Sequence, residues 1–196
     1  MKKTFISTLL FGLVNISAHA DYVQQPQTSG NTASAHYSAM SIQELQRAAK
    51  AGQVGAQFYL ATHYQYGRGV AKDEQRAFSL FKAAADQGLP AAQLNVGRMY
   101  ADGIGTSKNE KLARQYFEKA ASHGDNRASF NLAMMEEQKK NYMGAYQWYE
   151  LSTRDGMLDN KVIKLSEGKK TALAANLTQE QIRTARDRAD QWIQAQ

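Results

Sequence analysis

Two stretches decide the fold: YQYGRGVAKDEQRA (Tyr64–Ala77) and MYADGIGTSKNEKLA (Met99–Ala113). Each places a tyrosine ahead of Gly-x-Gly, then a polar loop, then a charged helical pattern. One Gly-x-Gly before a helix could open a phosphate cradle, but a cradle follows a strand, and no strand pattern precedes either copy. The duplication points elsewhere. Aligning the chain on Ala48 and Ala84 sets Gly52 on Gly88, Ala56 on Ala92, Gln57 on Gln93, Tyr64 on Tyr100, Gly67 on Gly103 and Gly69 on Gly105, always 36 residues apart. Gly124 and Ala128 continue the register. A fixed period of this size is the signature of a repeat architecture.

Each unit reads as two helices. RAFSLFKAAADQG, LARQYFEKAASHG and GAYQWYELSTRDG align on Ala77, Ala113 and Ala145, and again on Phe81, Phe117 and Tyr149. Apolar residues at 77, 80, 81, 84 and 85 form the stripe of an amphipathic helix B. Gly88, Gly124 and Gly156 follow its end, where glycine takes a left-handed cap without strain. Asp73, Asn109 and Asn141 stand at its start, each an N-cap type able to accept from free backbone N–H groups. Ala56, Leu60 and Tyr64, with Ala92, Val96 and Tyr100, carry the stripe of a preceding helix A. The Gly-x-Gly loop joins A to B. In the third unit EEQKKN replaces it, four residues shorter.

The pattern A-G-x-x-x-A-Q-x-x-L-x-x-x-Y-x-x-G-x-G-V-x-x-D over Ala51–Asp73, continued by Ala77, Phe81, Ala84, Ala85 and Gly88, resembles the Sel-one-like repeat, a relative of the tetratricopeptide repeat. The resemblance covers units 52–87, 88–123 and 124–155, the last with Ser129 where glutamine is usual. It implies an all-α fold, a right-handed α-solenoid of antiparallel helix pairs. It also implies a role in binding another protein rather than catalysis. One secreted branch carries a disulfide in each helix pair; this chain has no cysteine and departs from it.

The ends are read from composition and capping. MKK, an apolar stretch and AHA resemble a secretory signal over residues 1–20, with cleavage expected between Ala20 and Asp21 and a periplasmic or secreted product. Its loss lowers net charge from +6 to +4, too little to argue for nucleic acid. No later segment has the length and apolarity of a membrane span. Residues 21–40 are polar, small and aperiodic, which predicts a flexible linker. The solenoid is expected over 41–196. Ser41 and Glu44 form a capping box that opens an N-terminal capping helix. A C-terminal cap is expected over 156–196, with a second box at Thr178 and Gln181.

No chemistry-bearing constellation emerges. His36, His63 and His123 lack metal-ligand spacing, no serine sits in a nucleophile elbow, and Glu136 and Glu137 point apart on a helix. No enzyme activity, cofactor or metal is expected. Lys161, Lys164, Lys169 and Lys170 read as a solvated face or an acidic-partner contact. The stripe opposite helix A's apolar face comprises Tyr59, His63 and Tyr66, then Asn95 and Met99 (with Asp102), then Asn131 and Met135. It is expected to line a concave surface that contacts a partner. Two roles follow: a periplasmic adaptor, or an immunity protein neutralising a toxic effector.

Overall fold

The computed structural model describes residues 31–154 and 159–196. Ten helices run in order among them: α1 Asn31–Ala39, α2 Ile42–Lys50, α3 Val54–Tyr66, α4 Glu74–Asp86, α5 Pro90–Asp102, α6 Glu110–Ser122, α7 Asn126–Gln138, α8 Tyr142–Arg154, α9 Asn160–Ala174 and α10 Gln179–Gln194. The pairs α3–α4, α5–α6 and α7–α8 are the three units, and each packs on its own partner and on the next pair. This is the expected α-solenoid. The signal segment and Gly156 lie outside the described residues.

Local chemistry sets the boundaries. Asp73 Oδ1 accepts from Arg76 N at 2.9 Å, Asn109 Oδ1 from Leu112 N at 3.0 Å, and Asn141 Oδ1 from Gly144 N at 3.2 Å. Gly67 and Gly103 close α3 and α5 in the left-handed region, at φ +66° and +73°. The shorter third turn has no glycine, and Lys140 adopts φ +59° instead. Both capping boxes form. The segment through Gly168 is one continuous helix, α9, capped by Asp159.

The core is a shared wall. Phe81, Phe117 and Tyr149 are all fully buried. Residues from α2 to α6 form one cluster and residues from α5 to α10 a second, and Tyr100 packs against both. No helix pair encloses its own apolar face, so neighbouring pairs supply the covering side chains.

Residues 31–39, expected as linker, form α1. Their composition holds no apolar stripe; the segment meets α3 through Tyr37, a tertiary contact without a periodic signature. At the other end α10 lies mainly against α8. Trp192 meets Trp148 edge-on at 4.9 Å between ring centroids, and Arg186 donates to Tyr146 Oη at 3.2 Å.

A glutamine ladder links the units and breaks once. Gln57 donates to Ala49 O and Gln93 to Ala85 O, both at 3.4 Å. Gln87 then donates to Gln57 Oε1 at 2.8 Å, but Gln93 Oε1 is buried with no hydrogen-bond partner among the described residues. The residue in register with Gln87 is His123. His123→Gln is expected to complete the ladder and raise stability by about 1 kcal/mol. An unchanged urea midpoint would show that the orphaned oxygen is already satisfied in solution.

Ion pairs fasten the C-terminal helices. Glu150 on α8 meets Arg154 at 2.8 Å, Lys170 of α9 at 3.1 Å and Arg186 of α10 at 3.9 Å. Arg154 also pairs with Asp190 of α10. Burial raises the Glu150 carboxyl, but Lys170 and Arg154 outweigh it, so the group titrates below its ordinary 4.5. A depressed carboxylate contributes stability that is fully present above the unfolded value and lost as pH falls through the folded one. Stability, read from Trp148 and Trp192 fluorescence during unfolding, is therefore expected to fall progressively below pH 4.5. A flat midpoint across that acid range would contradict it.

Candidate protein-binding surface

The structure redistributes the expected stripe. Tyr59, Met99, Asn131 and Met135 are buried in the chain, His63 and Asn95 are half-buried, and Tyr66 and Asp102 are exposed. The expectation of an open row of tyrosine and methionine is corrected for a geometric reason. A helix A inside the array is covered by its own helix B and by the preceding one, so two of its faces are interior and the free strip is narrow. Methionines one turn from that strip turn inward and fill gaps between pairs.

The polar members of the stripe hold fixed positions. Asn95 Nδ2 donates to Ala91 O at 2.9 Å, and Asn131 Nδ2 donates to Arg127 O at 2.7 Å. His63 Nδ1 lies 2.6 Å from Arg68 O, and since a carbonyl only accepts, Nδ1 carries the proton. The Arg68 guanidinium lies 5.2 Å from the Tyr66 ring centroid.

The free strip of helix A runs through register positions 55/91/127, 62/98/134 and 66/102/138, all half-buried or exposed. It brings in Arg98, Asp102 and Arg127. Burial lowers the Arg98 pKa, with Tyr66 and Asp102 opposing and Arg127 adding to the effect. Burial raises the Asp102 carboxyl against Arg98 and Lys108. Arg127 is clamped by the fully buried Asp125, with Nε donating to Oδ1 at 2.9 Å and Nη2 to Oδ2. Among these, sequence reasoning singled out only Asp102. The signal was available, since the three triplets recur at the same period of 36.

A cleft of about 520 Å³ opens at one end of this strip, lined by Ala101, Asp102, Lys108, Glu110, Met135, Gln138 and Lys139. A cleft of about 690 Å³ lies in the same register one unit earlier, where the loop is present, lined by Lys72, Asp73, Glu74 and the loop residues Gly103 and Gly105. What sets the later cleft apart is the apolar wall of Ala101 and Met135. In the first two units the second glycine of the loop packs on the helix that precedes its own helix A: Gly69 faces Ile42 of α2, and Gly105 faces Glu74 O of α4. The third unit lacks that loop, and by register its place is beside Glu110. Met135 lines a cleft rather than an open groove.

Elsewhere the expected residues serve the fold. Lys169 pairs with Glu137, and Lys170 with Glu150 and Glu167. Glu136 pairs with Arg114 while Glu137 accepts from Tyr149 Oη at 2.8 Å, so the two carboxylates do point apart. Among the described residues no group of three or more His, Asp or Glu converges as a metal site, and no helix is long and apolar enough to cross a membrane.

A model of the Sel1 repeat matches residues 54–89, 90–125 and 126–157, just over half of the chain. The chain belongs to the Sel1 repeat family. Each matched Sel1 unit begins two residues after the boundary expected from the glycines, at the first turn of helix A rather than in the turn before it. A Sel1 repeat protein of Oxalobacter formigenes is similar at 33% identity, with 65% of this chain and 97% of that one covered and a TM-score of 0.54. The protective antigen c5321 of uropathogenic Escherichia coli, which displays the same repeat fold, is similar at 24% identity and TM-score 0.56. It covers 78% of this chain, which spans 40% of the antigen. The immunity protein Pa5087 of Pseudomonas aeruginosa is similar at 18% identity over 79% of this chain and 86% of its own, with a TM-score of 0.35. A superposition that loose carries no argument for an immunity role. No curated protein matches the chain. Sel1 repeats are in general protein–protein interaction modules.

Proposed function

We propose that this protein is an exported interaction module that binds a partner protein along the free strip of helix A, centred on the cleft at Asp102 and Met135. The observation that carries the reading is that cleft, an opening with an apolar wall of Ala101 and Met135 and a mixed-charge rim on the array. A rim of Asp102, Lys108, Glu110 and Lys139 suits a polar, charge-patterned protein surface better than a phosphate backbone, which would require a one-sign basic face. Tyr66, His63 and Asn95 extend the same side of the array. Export rests on the resemblance of residues 1–20 to a signal segment.

The experiment is affinity capture from periplasmic extract with the native chain and with the double charge reversal Asp102→Lys, Lys139→Glu. The expected result is a partner whose recovery falls at least about tenfold in the reversal, as several kcal/mol of like-charge juxtaposition at an interface demands. Equal recovery, with unchanged helicity, would remove the cleft from the contact surface. N-terminal sequencing of the exported chain is expected to begin at Asp21, and retention of residues 1–20 in a cytoplasmic product would overturn the location.

A further inference from the structure

A glutamine in the first turn of helix A makes the same bond in two units and is missing from the third. Gln57 and Gln93 donate to Ala49 O and Ala85 O. Each of these carbonyls also accepts from the glycine that follows its helix, Ala49 O from Gly52 N and Ala85 O from Gly88 N, both at 3.0 Å. Both lone pairs of each carbonyl are then engaged. In the third unit the residues in register are Ala121, Gly124 and Ser129. Gly124 N donates to Ala121 O at 2.8 Å, as its counterparts do. Ser129 is buried like Gln57 and Gln93, but its side chain is shorter and, among the described residues, makes no such bond.

A recess stands where the carboxamide would be. A cavity of about 130 Å³ is lined by Ala121, Ser122, Gly124 and Ser129 together with Trp192 and Ile193 of α10. One water takes about 30 Å³, so the recess admits a group of several heavy atoms. Its polar part holds Ala121 and Ser129; its apolar part is Trp192, half-buried, and Ile193, 37% exposed. It shares no lining residue with the cleft at Asp102 and Met135.

We propose that this recess is a second binding site, selective for a primary carboxamide, and that a glutamine side chain of the partner protein occupies it. The two earlier units are the template, since the chain itself fills the same place there with that group. The NH₂ of a carboxamide donates to Ala121 O and its oxygen accepts from the Ser129 hydroxyl, while the methylenes behind it lie against Trp192 and Ile193. A carboxylate has no donor for the carbonyl and would lose hydration for nothing. The partner half rests on the reading of the array as a protein-binding module.

The test follows chemical shifts of the chain 21–196 as propionamide is added, with propionate as the contrast. The backbone amides of Gly124 and Ser129 and the indole N–H of Trp192 are expected to move saturably, with the millimolar affinity of so small a probe. Propionate should move none of them. Ser129→Gln sets the glutamine of the other units into the recess, so it is expected to abolish the propionamide shifts and to raise the urea midpoint. Ser129→Ala keeps the recess open and should weaken the probe roughly fivefold, the equivalent of one neutral hydrogen bond. No saturable movement, an equal response to propionate, or shifts that persist in Ser129→Gln would overturn the site. A lowered midpoint in Ser129→Gln would overturn it too, because the recess would not then fit that side chain. A second arm compares partner recovery by the native chain and by Ser129→Gln, which is expected to fall several-fold. Propionamide binding with unchanged recovery overturns the partner half and leaves a site for a free amide. A silent titration beside cleft-dependent recovery overturns the site and leaves the module reading intact.

Discussion

Gly105→Ala is expected to cost about 2–5 kcal/mol of unfolding free energy, enough to unfold a marginal array. Two costs add. Residue 105 sits at φ +67°, a region an L side chain enters at about 1–2 kcal/mol. A Cβ would also stand 2.1 Å from Glu74 O and 2.5 Å from Glu74 C, backbone atoms at the start of α4 that cannot rotate aside. Overpacking of this kind adds about 1–3 kcal/mol. Gly69 is the built-in control. It has nearly the same backbone, at φ +70°, but its nearest neighbour is the Ile42 side chain at 3.4 Å. Gly69→Ala should therefore show only the backbone cost. Urea unfolding followed by circular dichroism reads both variants, and equal losses would mean that the loop does not rest on α4 in solution.

Phe117→Ala is the second large effect, expected at about 3–5 kcal/mol. The ring is fully buried and lies against Gly97 of α5, where a Cβ would approach Phe117 Cδ1 and Cε1 to 2.6 Å. Alanine leaves a cavity that Gly97 has no side chain to fill. Because Phe117 stands in the middle pair, the loss should do more than shift the midpoint. Solenoid stability is a sum over neighbouring interfaces, so weakening the central one should split a single unfolding transition into two or lower its denaturant slope. A single, equally steep transition displaced by less than about 1 kcal/mol would contradict the shared-wall description of the core.

Much of this was legible in the residues. Asp73, Asn109 and Asn141 cap helices, Gly88 and Gly124 end them with positive φ, and Phe81, Phe117 and Tyr149 fill the core, all as their period requires. These are local properties: a cap is satisfied within three residues and a helix stripe repeats within eight, so the chain carries them whatever surrounds it. The candidate surface was less legible. Met99 and Met135 have the spacing of an exposed stripe but are buried, because period tells which side chains share a face, and only the placement of the neighbouring helices tells whether that face is covered.

The amino-acid order by itself therefore determined a helical repeat of period 36, the helix ends and the core positions. The stacked structure alone decided three further things: which narrow strip of helix A meets solvent, that a cleft opens beside Asp102 and Met135, and that Tyr37 settles on Gly55. The physical reason is range. Capping and amphipathicity are settled within a turn or two of chain, whereas exposure, clefts and docked segments arise between residues far apart in sequence, whose meeting depends on how the pairs pack.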